Sequence, residues 1–356
     1  MVLPLRYTPS VEVLEDDEQK TQAELIETLL GISKTTLRDE HEALRAVHAK
    51  SQGLLKATFI VADGLPPELA QGLFAKPGRY DAVMRLSSAP GDLLPDSVST
   101  HHGLGIKVKG VGGEHLPGAE SDTQDFLMAN GKAFNASSLA GFLKTLKLLA
   151  ATTDKAEGLK VALSTALRAV ETTLENAGGQ SALLTALGGH PAYHILAEEF
   201  FTQVPIRYGD CIAKLRVYPV SPGQKSLIGT KIELSEPFDA HRQAVRKYLE
   251  NEMAVWEIRA QLCTDLETMP VEKPNVAWPE DKSPYLTVAR IEVAPQEAYS
   301  DAMVAQVDKG AAFSPWHGLV AHRPLGAINR VRKAVYDASA RFRLSRNGCP
   351  FHGEAA

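Results

Sequence analysis

Near the C-terminal end, residues 329–344 carry side chains whose types and helical spacing could do chemistry. One line of such a helix presents Arg332, Tyr336, Ser339 and Arg343, and the adjacent line is apolar. A phenol of pKa about 10 serves as an anionic ligand near neutrality only if a fixed cation lowers that pKa. Arginine suits this because it stays charged even when buried. The spacing therefore indicates either a phenolate ligand or a surface helix with a salt-bridging face.

The composition is that of a globular protein and excludes several functional classes. With 356 residues, 44% hydrophobic and 23% charged, the chain can bury a large core. A net charge of −5 leaves no nucleic-acid footprint, and no apolar run approaches the roughly 18 to 20 residues of a membrane span. Residues 1–19 lack a secretory signal, and three distant cysteines form no CxxC pair. We therefore expect a cytoplasmic protein that spans no membrane.

Periodicity predicts an α+β chain with one domain. A helix is expected over about residues 18–46, another over 240–252, and helices are expected to be inserted over 138–187. Strands are predicted to start near Gly53 and to cover 80–88, 211–220, 226–234, 255–263 and 286–294. Strands spread over the whole chain and joined by helical excursions fit one antiparallel barrel better than two domains.

Two further segments bring polar residues together with a histidine. Residues 45–50 read RAVHAK, and a lone histidine such as His48 is more often structural than catalytic. In the strand YDAVMRLSS (80–88), alternation puts Arg85 and Ser87 on one face. Neither segment alone is specific enough to assign a function.

In combination these segments resemble haem catalases. RAVHAK resembles the distal R-V-V-H-A-K, residues 80–88 resemble V-x-R-F-S, and DFLMANGKAF (125–134) resembles D-L-V-G-N-N-T-P-x-F. The R-x-x-x-Y pair followed by R-x-R-L resembles the proximal helix. The resemblance covers about residues 38–345, in the family's order. It is strongest to the short bacterial catalase-like proteins, or catalase-related peroxidases, and implies an eight-stranded antiparallel barrel with surrounding and inserted helices.

The resemblance also implies a site for haem b. Tyr336 would ligate the iron with its charge balanced by Arg332, and His48 would be the distal acid–base residue. Ser87 would orient His48, and Asn130 would hydrogen-bond the peroxide. The remaining residues implied around the haem are Arg45, Val47, Arg85, Phe134, Phe142, Ser339 and Arg343, with the arginines at the propionates.

The sequence departs from the family pattern in ways that affect function. Thr100 replaces the acid of the access channel and His102 replaces the following arginine, so high peroxide turnover is not expected. Ala340 stands where catalases often carry a propionate-binding histidine. The usual C-terminal extensions are missing, so we expect no NADPH site. Residues 1–16 are expected to form an arm and 346–356 a mobile tail, whose Cys349 is not expected to ligate haem.

Three functions remain open at this level. The first is a haem peroxidase that reduces hydrogen peroxide or organic hydroperoxides, with weak or variable catalase activity. The second is a fatty-acid hydroperoxide lyase or isomerase like allene oxide synthases, which carry threonine where this chain has Val47. The third is a non-catalytic haem-binding partner subunit, against which the retention of His48 and Asn130 argues. We expect a homo-oligomer, either a dimer or a tetramer.

Overall fold

A closed antiparallel barrel forms the centre of the protein. The computed structural model describes residues 3–89, 91–98, 100–152, 192–234 and 238–347. The strands are β1 (Ser51–Val61), β2 (Gly78–Ser88), β3 (His102–Lys109), β4 (Thr123–Ala129), β5 (Phe200–Phe201), β6 (Ile206–Tyr208), β7 (Cys211–Pro219), β8 (Ala254–Leu262) and β9 (Leu286–Val293).

Eight of these strands close into a ring in the order β1–β2–β3–β4–β5–β7–β8–β9, and β9 pairs back onto β1. The short β6 lies outside the ring and pairs with the beginning of β7. Closure leaves no long unpaired sheet edge. The predicted α+β fold with an eight-stranded antiparallel barrel is confirmed.

Helices surround the barrel. They are α1 (Glu18–Glu40), α2 (Leu139–Thr152), α3 (Pro222–Ser226), α4 (Ala240–Leu249), α5 (Asp301–Met303) and α6 (Ala327–Asn347), and a π-helix (Val304–Lys309) follows α5 directly. Helix α1 packs against both α2 and α6 through an apolar cluster that includes Leu25, Leu29, Leu143 and Val331. Within the described ranges, no helix has both the length and the apolar content to cross a membrane.

Strand alternation separates the apolar interior of the barrel from an outer face that carries polar side chains. On β2, Met84 and Leu86 are fully buried in the barrel core. The residues between and after them, Arg85 and Ser87, point to the opposite face because side chains alternate along a strand. This outer face meets the layer formed by α1, α2 and α6.

Two sequence-based boundaries differ from the structure. Helix α1 ends at Glu40 instead of near residue 46, because His41 adopts a left-handed backbone with φ of 57°. The strand predicted over 226–234 is wrong. Ser221 caps α3 by accepting a hydrogen bond from the Gln224 N–H, and a turn with Gly229 at φ of 73° follows. Within this segment only Lys231 pairs in a bridge, with Tyr193.

The last described residue of the chain is hydrogen-bonded to the loop that follows α1. Asn347 at the end of α6 accepts a hydrogen bond from the Ala43 N–H at 2.9 Å and donates to the Ala43 carbonyl at 3.0 Å. The predicted tail therefore begins inside α6, and its residues 348–356, with Cys349, lie outside the described residues. The inserted helices are described only as α2, because residues 153–191 also lie outside the described ranges.

Candidate active site

A cavity of about 340 Å³ lies between the outer face of β2, β3 and β4 and the helices α1, α2 and α6. Its volume is in the range of small-molecule and cofactor sites, about 300 to 1,000 Å³. Eleven residues predicted from the sequence line it: Arg45, Val47, His48, Arg85, Ser87, Phe134, Phe142, Arg332, Tyr336, Ser339 and Arg343. Segments far apart in the chain thus converge on one space.

Arg332 and Tyr336 form a hydrogen-bonded pair on the wall contributed by α6. The Arg332 Nη2 donates to the Tyr336 hydroxyl oxygen at 3.0 Å, and its Nη1 donates to the Asn329 Oδ1 at 3.1 Å. Asn329 is buried, and its Nδ2 donates to the carbonyls of Pro205 and Leu325. The guanidinium is therefore held on two sides, with one edge against the phenol oxygen.

His48 lies in the loop between α1 and β1 and is held by its backbone and its ring. Its backbone is left-handed, with φ of 54°, and its N–H donates to the Ala89 carbonyl at 2.7 Å. The ring Nδ1 is 3.2 Å from the Ser87 Oγ. Burial lowers the pKa of His48 to about 3, assisted by the charges of Arg85 and Arg332. The imidazole is therefore neutral at physiological pH.

Gly103 on β3 makes room for the His48 ring. A Cβ at this position would lie 2.5 Å from the His48 Cε1 and 2.6 Å from its Nδ1, and such distances are not tolerated in folded proteins. Any side chain at 103 would therefore displace the imidazole from its position beside Ser87. The glycine is thus part of what positions His48.

One end of the cavity is strongly cationic. Arg45, Arg85 and Arg343 come from the loop after α1, from β2 and from α6, and all three line the cavity. Burial and repulsion from the other two guanidiniums lower the pKa of Arg45, and burial followed by repulsion from Arg85 lowers that of Arg343 to about 10. Asp308 of the π-helix accepts from Arg45 Nη1 at 3.0 Å and from Arg85 Nε at 2.7 Å.

Asn130 does not line the cavity, although the preceding residue, Ala129, does. Its Nδ2 donates to Glu198 Oε2 at 3.1 Å, and its Oδ1 accepts from the His102 N–H at 3.1 Å. His102 Nδ1 is 2.8 Å from the same Glu198 oxygen. In this arrangement the carboxamide is anchored behind the cavity wall.

The remaining wall is apolar. The rings of Phe134 and Phe142 meet edge to face at a centroid distance of 5.1 Å. Val47 and the α2 residues Leu146 and Leu149 continue this surface. A flat apolar ligand with an anionic edge would match the distribution of apolar and cationic side chains.

Sequence reasoning missed several residues that shape the site. Asp308 belongs to none of the motifs identified in the sequence, and no local pattern connects it with Arg45, which is 263 positions away. Glu198, which bonds Asn130, and Phe313, which lines the cavity, were missed because no local pattern connects them with the other site residues. Gly103 was also missed. A glycine inside a strand often marks the close approach of another group, but nothing in the sequence connects Gly103 with His48, 55 positions earlier.

Comparisons with solved structures return catalases. A fungal catalase matches with a TM-score of 0.59 at 16% identity, covering 88% of this chain and 62% of that chain. Catalase A from Saccharomyces cerevisiae matches with a TM-score of 0.57 at 16% identity, covering 97% of this chain and 68% of that one. A bacterial catalase gives 0.57 at 15% identity, covering 97% and 64%.

The chain has a catalase fold. It spans about 62 to 68% of the length of these catalases. No family model matches the sequence, and no curated protein matches it. The TM-scores of 0.57 to 0.59 establish a shared fold, and at identities of 15 to 16% they establish nothing more, so the chemistry has to be argued from the cavity itself.

The cavity residues fit a haem. A phenolate is one of the axial ligands that proteins provide to haem iron, and Tyr336 offers a phenol oxygen that accepts a hydrogen bond from the half-buried Arg332. Two propionates need cationic donors, and the Nε of Arg343 is buried without a hydrogen-bond partner in the described part of the chain. The apolar wall formed with Phe134 and Phe142 suits a porphyrin ring.

Proposed function

We propose that this protein is a haem-dependent peroxidase that reduces hydrogen peroxide or organic hydroperoxides and has weak catalase activity. The observation that carries the proposal is that the Arg332–Tyr336 pair and the His48–Ser87 pair line one cavity. The first pair suits a phenolate metal ligand, and the second suits proton transfer. Haem b, when bound, would supply the redox-active iron that exchanges electrons with the peroxide.

On the proximal side, Tyr336 would hold the iron through its phenolate oxygen. The positive charge of Arg332 would stabilise a phenolate bound to iron, and the hydrogen bond that Arg332 donates to the Asn329 Oδ1 keeps that charge in place. Arginine performs this role better than lysine because its planar group bonds both partners at once.

On the distal side, His48 would take the proton from the hydroperoxide and return it to the leaving oxygen. The buried imidazole is neutral, so one of its ring nitrogens carries a lone pair, and Ser87 restricts its ring orientation. Asn130 was also expected to contact the peroxide, but Glu198 and the His102 N–H anchor it behind the cavity wall, so we do not assign it that contact.

Val47, Phe134, Phe142 and Ser339 would contact the porphyrin, and arginines at the cationic end would bind its carboxylates.

The weak catalase activity follows from Thr100, which stands where the resemblance expects the acid of the access channel. A peroxidase cycle needs an external reductant for the second half of the reaction, and an organic electron donor would serve.

The test is turnover of the haem-reconstituted protein on three substrates. We expect reductant oxidation with cumene hydroperoxide, slow oxygen evolution from hydrogen peroxide, and reduction of a fatty-acid hydroperoxide to its alcohol. His48→Gln should lower the peroxidase rate by at least about 10²-fold, the usual contribution of acid–base assistance.

Other outcomes would replace this function. Conversion of the fatty-acid hydroperoxide to an epoxide or aldehyde without reductant consumption would identify a lyase or isomerase. Haem binding combined with equal, negligible rates for the wild type and His48→Gln would identify a haem-binding subunit. Failure to bind haem at all would refute the proposal.

A further inference from the structure

A tyrosine outside the cavity, Tyr299, is joined to the cavity wall by hydrogen bonds. It is half-buried and lies between β9 and α5. Its hydroxyl oxygen is 3.2 Å from the Ser51 Oγ, and Ser51 donates to the Asp308 Oδ2 at 2.6 Å. The other oxygen of Asp308 accepts from the Nε of Arg85 at 2.7 Å, and Arg85 lines the cavity. A continuous path therefore runs from a partly exposed phenol to the cavity wall.

The hydrogen bonds of this path have a fixed direction. Burial alone would raise the pKa of Asp308, but the charges of Arg85 and Arg45 outweigh burial and hold that pKa well below its usual value. The carboxylate is therefore ionised and only accepts hydrogen bonds. Because the single hydroxyl hydrogen of Ser51 is directed at Asp308, the phenol of Tyr299 is the donor to Ser51. The phenolic proton thus has a route that ends at an anion.

The ring of Tyr299 lies under a cation. The guanidinium carbon of Arg242 is 4.0 Å from the ring centroid, and Arg242 also donates to the Ser51 carbonyl at 3.0 Å and pairs with Asp239 at 3.0 Å. A second positive charge on the ring would be repelled by this guanidinium. Loss of an electron from Tyr299 is therefore favourable only together with loss of the phenolic proton, and the hydrogen bond to Ser51 provides for that.

The proposed peroxidase reaction needs electrons from outside the protein. One hydroperoxide and two molecules of a phenol or an aromatic amine give one alcohol, one water and two donor radicals. Each donor molecule gives up one electron and one proton. A bulky donor does not have to enter the cavity if its electron is taken up at a residue nearer the surface.

Trp316 is a second half-buried aromatic residue with a connection to the cavity. Its Nε1 donates to the Asn329 carbonyl at 2.7 Å, and the Asn329 side chain accepts from Arg332, which lines the cavity. A backbone carbonyl is a very weak base, so the indole has no acceptor that would take its proton. The path from Tyr299 ends at a carboxylate and is the better suited of the two.

We propose that Tyr299 is the residue at which organic reductants deliver electrons to the site, with Ser51 passing its proton to Asp308. This inference rests on the proposed function. In each step Tyr299 gives one electron to the oxidised site, its O–H bond breaks, and the hydroxyl hydrogen of Ser51 moves to Asp308 as that of Tyr299 replaces it. The donor then gives a hydrogen atom to the Tyr299 radical and restores the phenol.

The proton balance closes over two such steps. A phenol that has lost an electron is a strong acid, so even the weakly basic Asp308 draws its proton along the path. Because the pKa of Asp308 is low, the carboxyl does not retain the proton. The two protons released are those that the alcohol and the water require.

The first test measures turnover with cumene hydroperoxide and guaiacol, expressed per bound haem so that differences in haem content do not enter. Tyr299→Phe removes the hydroxyl and keeps the ring under Arg242. We expect its kcat to fall by at least about tenfold. Tyr248→Phe is the matched control, since its hydroxyl contacts Ser221 and the Met253 carbonyl.

Electron paramagnetic resonance detects the proposed step without turnover. Haem-loaded protein is mixed with cumene hydroperoxide in the absence of a reductant and frozen. We expect a tyrosyl radical in the wild type, with a narrower signal when the tyrosine rings carry deuterium. The radical should be absent from Tyr299→Phe and present in Tyr248→Phe.

Two further variants test the path itself. Ser51→Ala keeps the phenol and removes the group that takes its proton, so kcat should fall in this variant as well. The double variant Ser51→Ala/Tyr299→Phe should lie within about threefold of Tyr299→Phe, because both changes interrupt one path. Trp316→Phe should keep the kcat of the wild type and its radical.

Contrary results are separable. Equal kcat values and the same radical in Tyr299→Phe and the wild type would refute the inference while the peroxidase function stands. A loss confined to Trp316→Phe would assign the electron entry to the other path and would also refute it. A double variant much slower than Tyr299→Phe would show that Ser51 acts elsewhere, against the proposed proton path. If the haem-loaded wild type oxidises no reductant, the proposed function fails and the inference fails with it.

Discussion

Arg332 donates a hydrogen bond of 3.0 Å to the hydroxyl oxygen of Tyr336, one turn later on α6. The guanidinium is itself fixed by Asn329, which is buried and bonded to two backbone carbonyls. A phenol that accepts a hydrogen bond from a permanent cation is preorganised to carry negative charge. This relationship supports the phenolate part of the proposed function and gives two predictions.

Tyr336→Phe removes the phenol oxygen and keeps the ring. We expect haem content after reconstitution to fall by at least about tenfold, because the iron loses its protein ligand. Any haem retained should lack the charge-transfer absorption of a tyrosinate complex. Tyr248→Phe is the matched control, since its hydroxyl contacts Ser221 and the Met253 carbonyl, away from the cavity. An unchanged spectrum in Tyr336→Phe would exclude this residue as the ligand.

Arg332→Leu removes the cation that would stabilise a phenolate ligand at Tyr336. The haem spectrum should then depend on pH near neutrality, where that of the wild type is constant. Arg332→Lys should be intermediate, because a flexible ammonium cannot bond Asn329 and the phenol in the same planar geometry. Spectra recorded from about pH 6 to pH 9, around the reference pKa values, measure the effect. Identical titrations in all three proteins would show that the pair does not tune the ligand.

Gly103→Ala should displace the His48 ring, because the new Cβ would lie 2.5 Å from the His48 Cε1. We expect peroxidase turnover to fall by about 10²-fold, as for loss of acid–base assistance, while haem content is preserved. Gly112→Ala is the control, since a Cβ there meets nothing within 4 Å. Equal rates in Gly103→Ala and the wild type would mean that this contact does not hold the imidazole in its working position.

Buried histidines should make the stability of the ligand-free protein sensitive to acid. Burial lowers the pKa of His322 to about 4, and its Nε2 accepts a hydrogen bond from the Leu73 N–H at 2.9 Å. Between the unfolded pKa of about 6.5 and this value, the unfolded state binds the extra proton. The free energy of unfolding therefore falls as the pH falls, by up to about 1.4 kcal/mol per pH unit for one histidine.

Denaturant unfolding of His322→Gln over this pH range measures that contribution. The unfolding free energy of this variant should change less steeply with pH than that of the wild type. The difference should correspond to the uptake of about one proton fewer on unfolding, whatever the absolute stability of the variant. His41→Gln, at an exposed position, is the control. A slope equal to that of the wild type would show that His322 does not contribute to the acid sensitivity.

The sequence by itself was enough to predict the parts of the site that depend on local geometry. The line Arg332, Tyr336, Ser339 and Arg343 follows from the helical repeat of 3.6 residues, and all four residues line the cavity. Alternation along β2 likewise separates Arg85 from the barrel core. The backbone hydrogen bonding of a helix or a strand sets the repeat of its side chains. The residues that share a face can therefore be predicted from local sequence.

Only the tertiary structure decided the features that depend on contacts between distant segments. The pairing of Asp308 with Arg45 joins positions 263 apart and has no periodic signature. The direction of Asn130 is decided by Glu198, a residue from the segment before β5. The alternating pattern over 226–234 predicted a strand that does not form. A strand is stable only where a partner strand is available, and that also depends on distant segments. Closure of the barrel brings these segments together, and neither propensity nor spacing encodes which of them will meet.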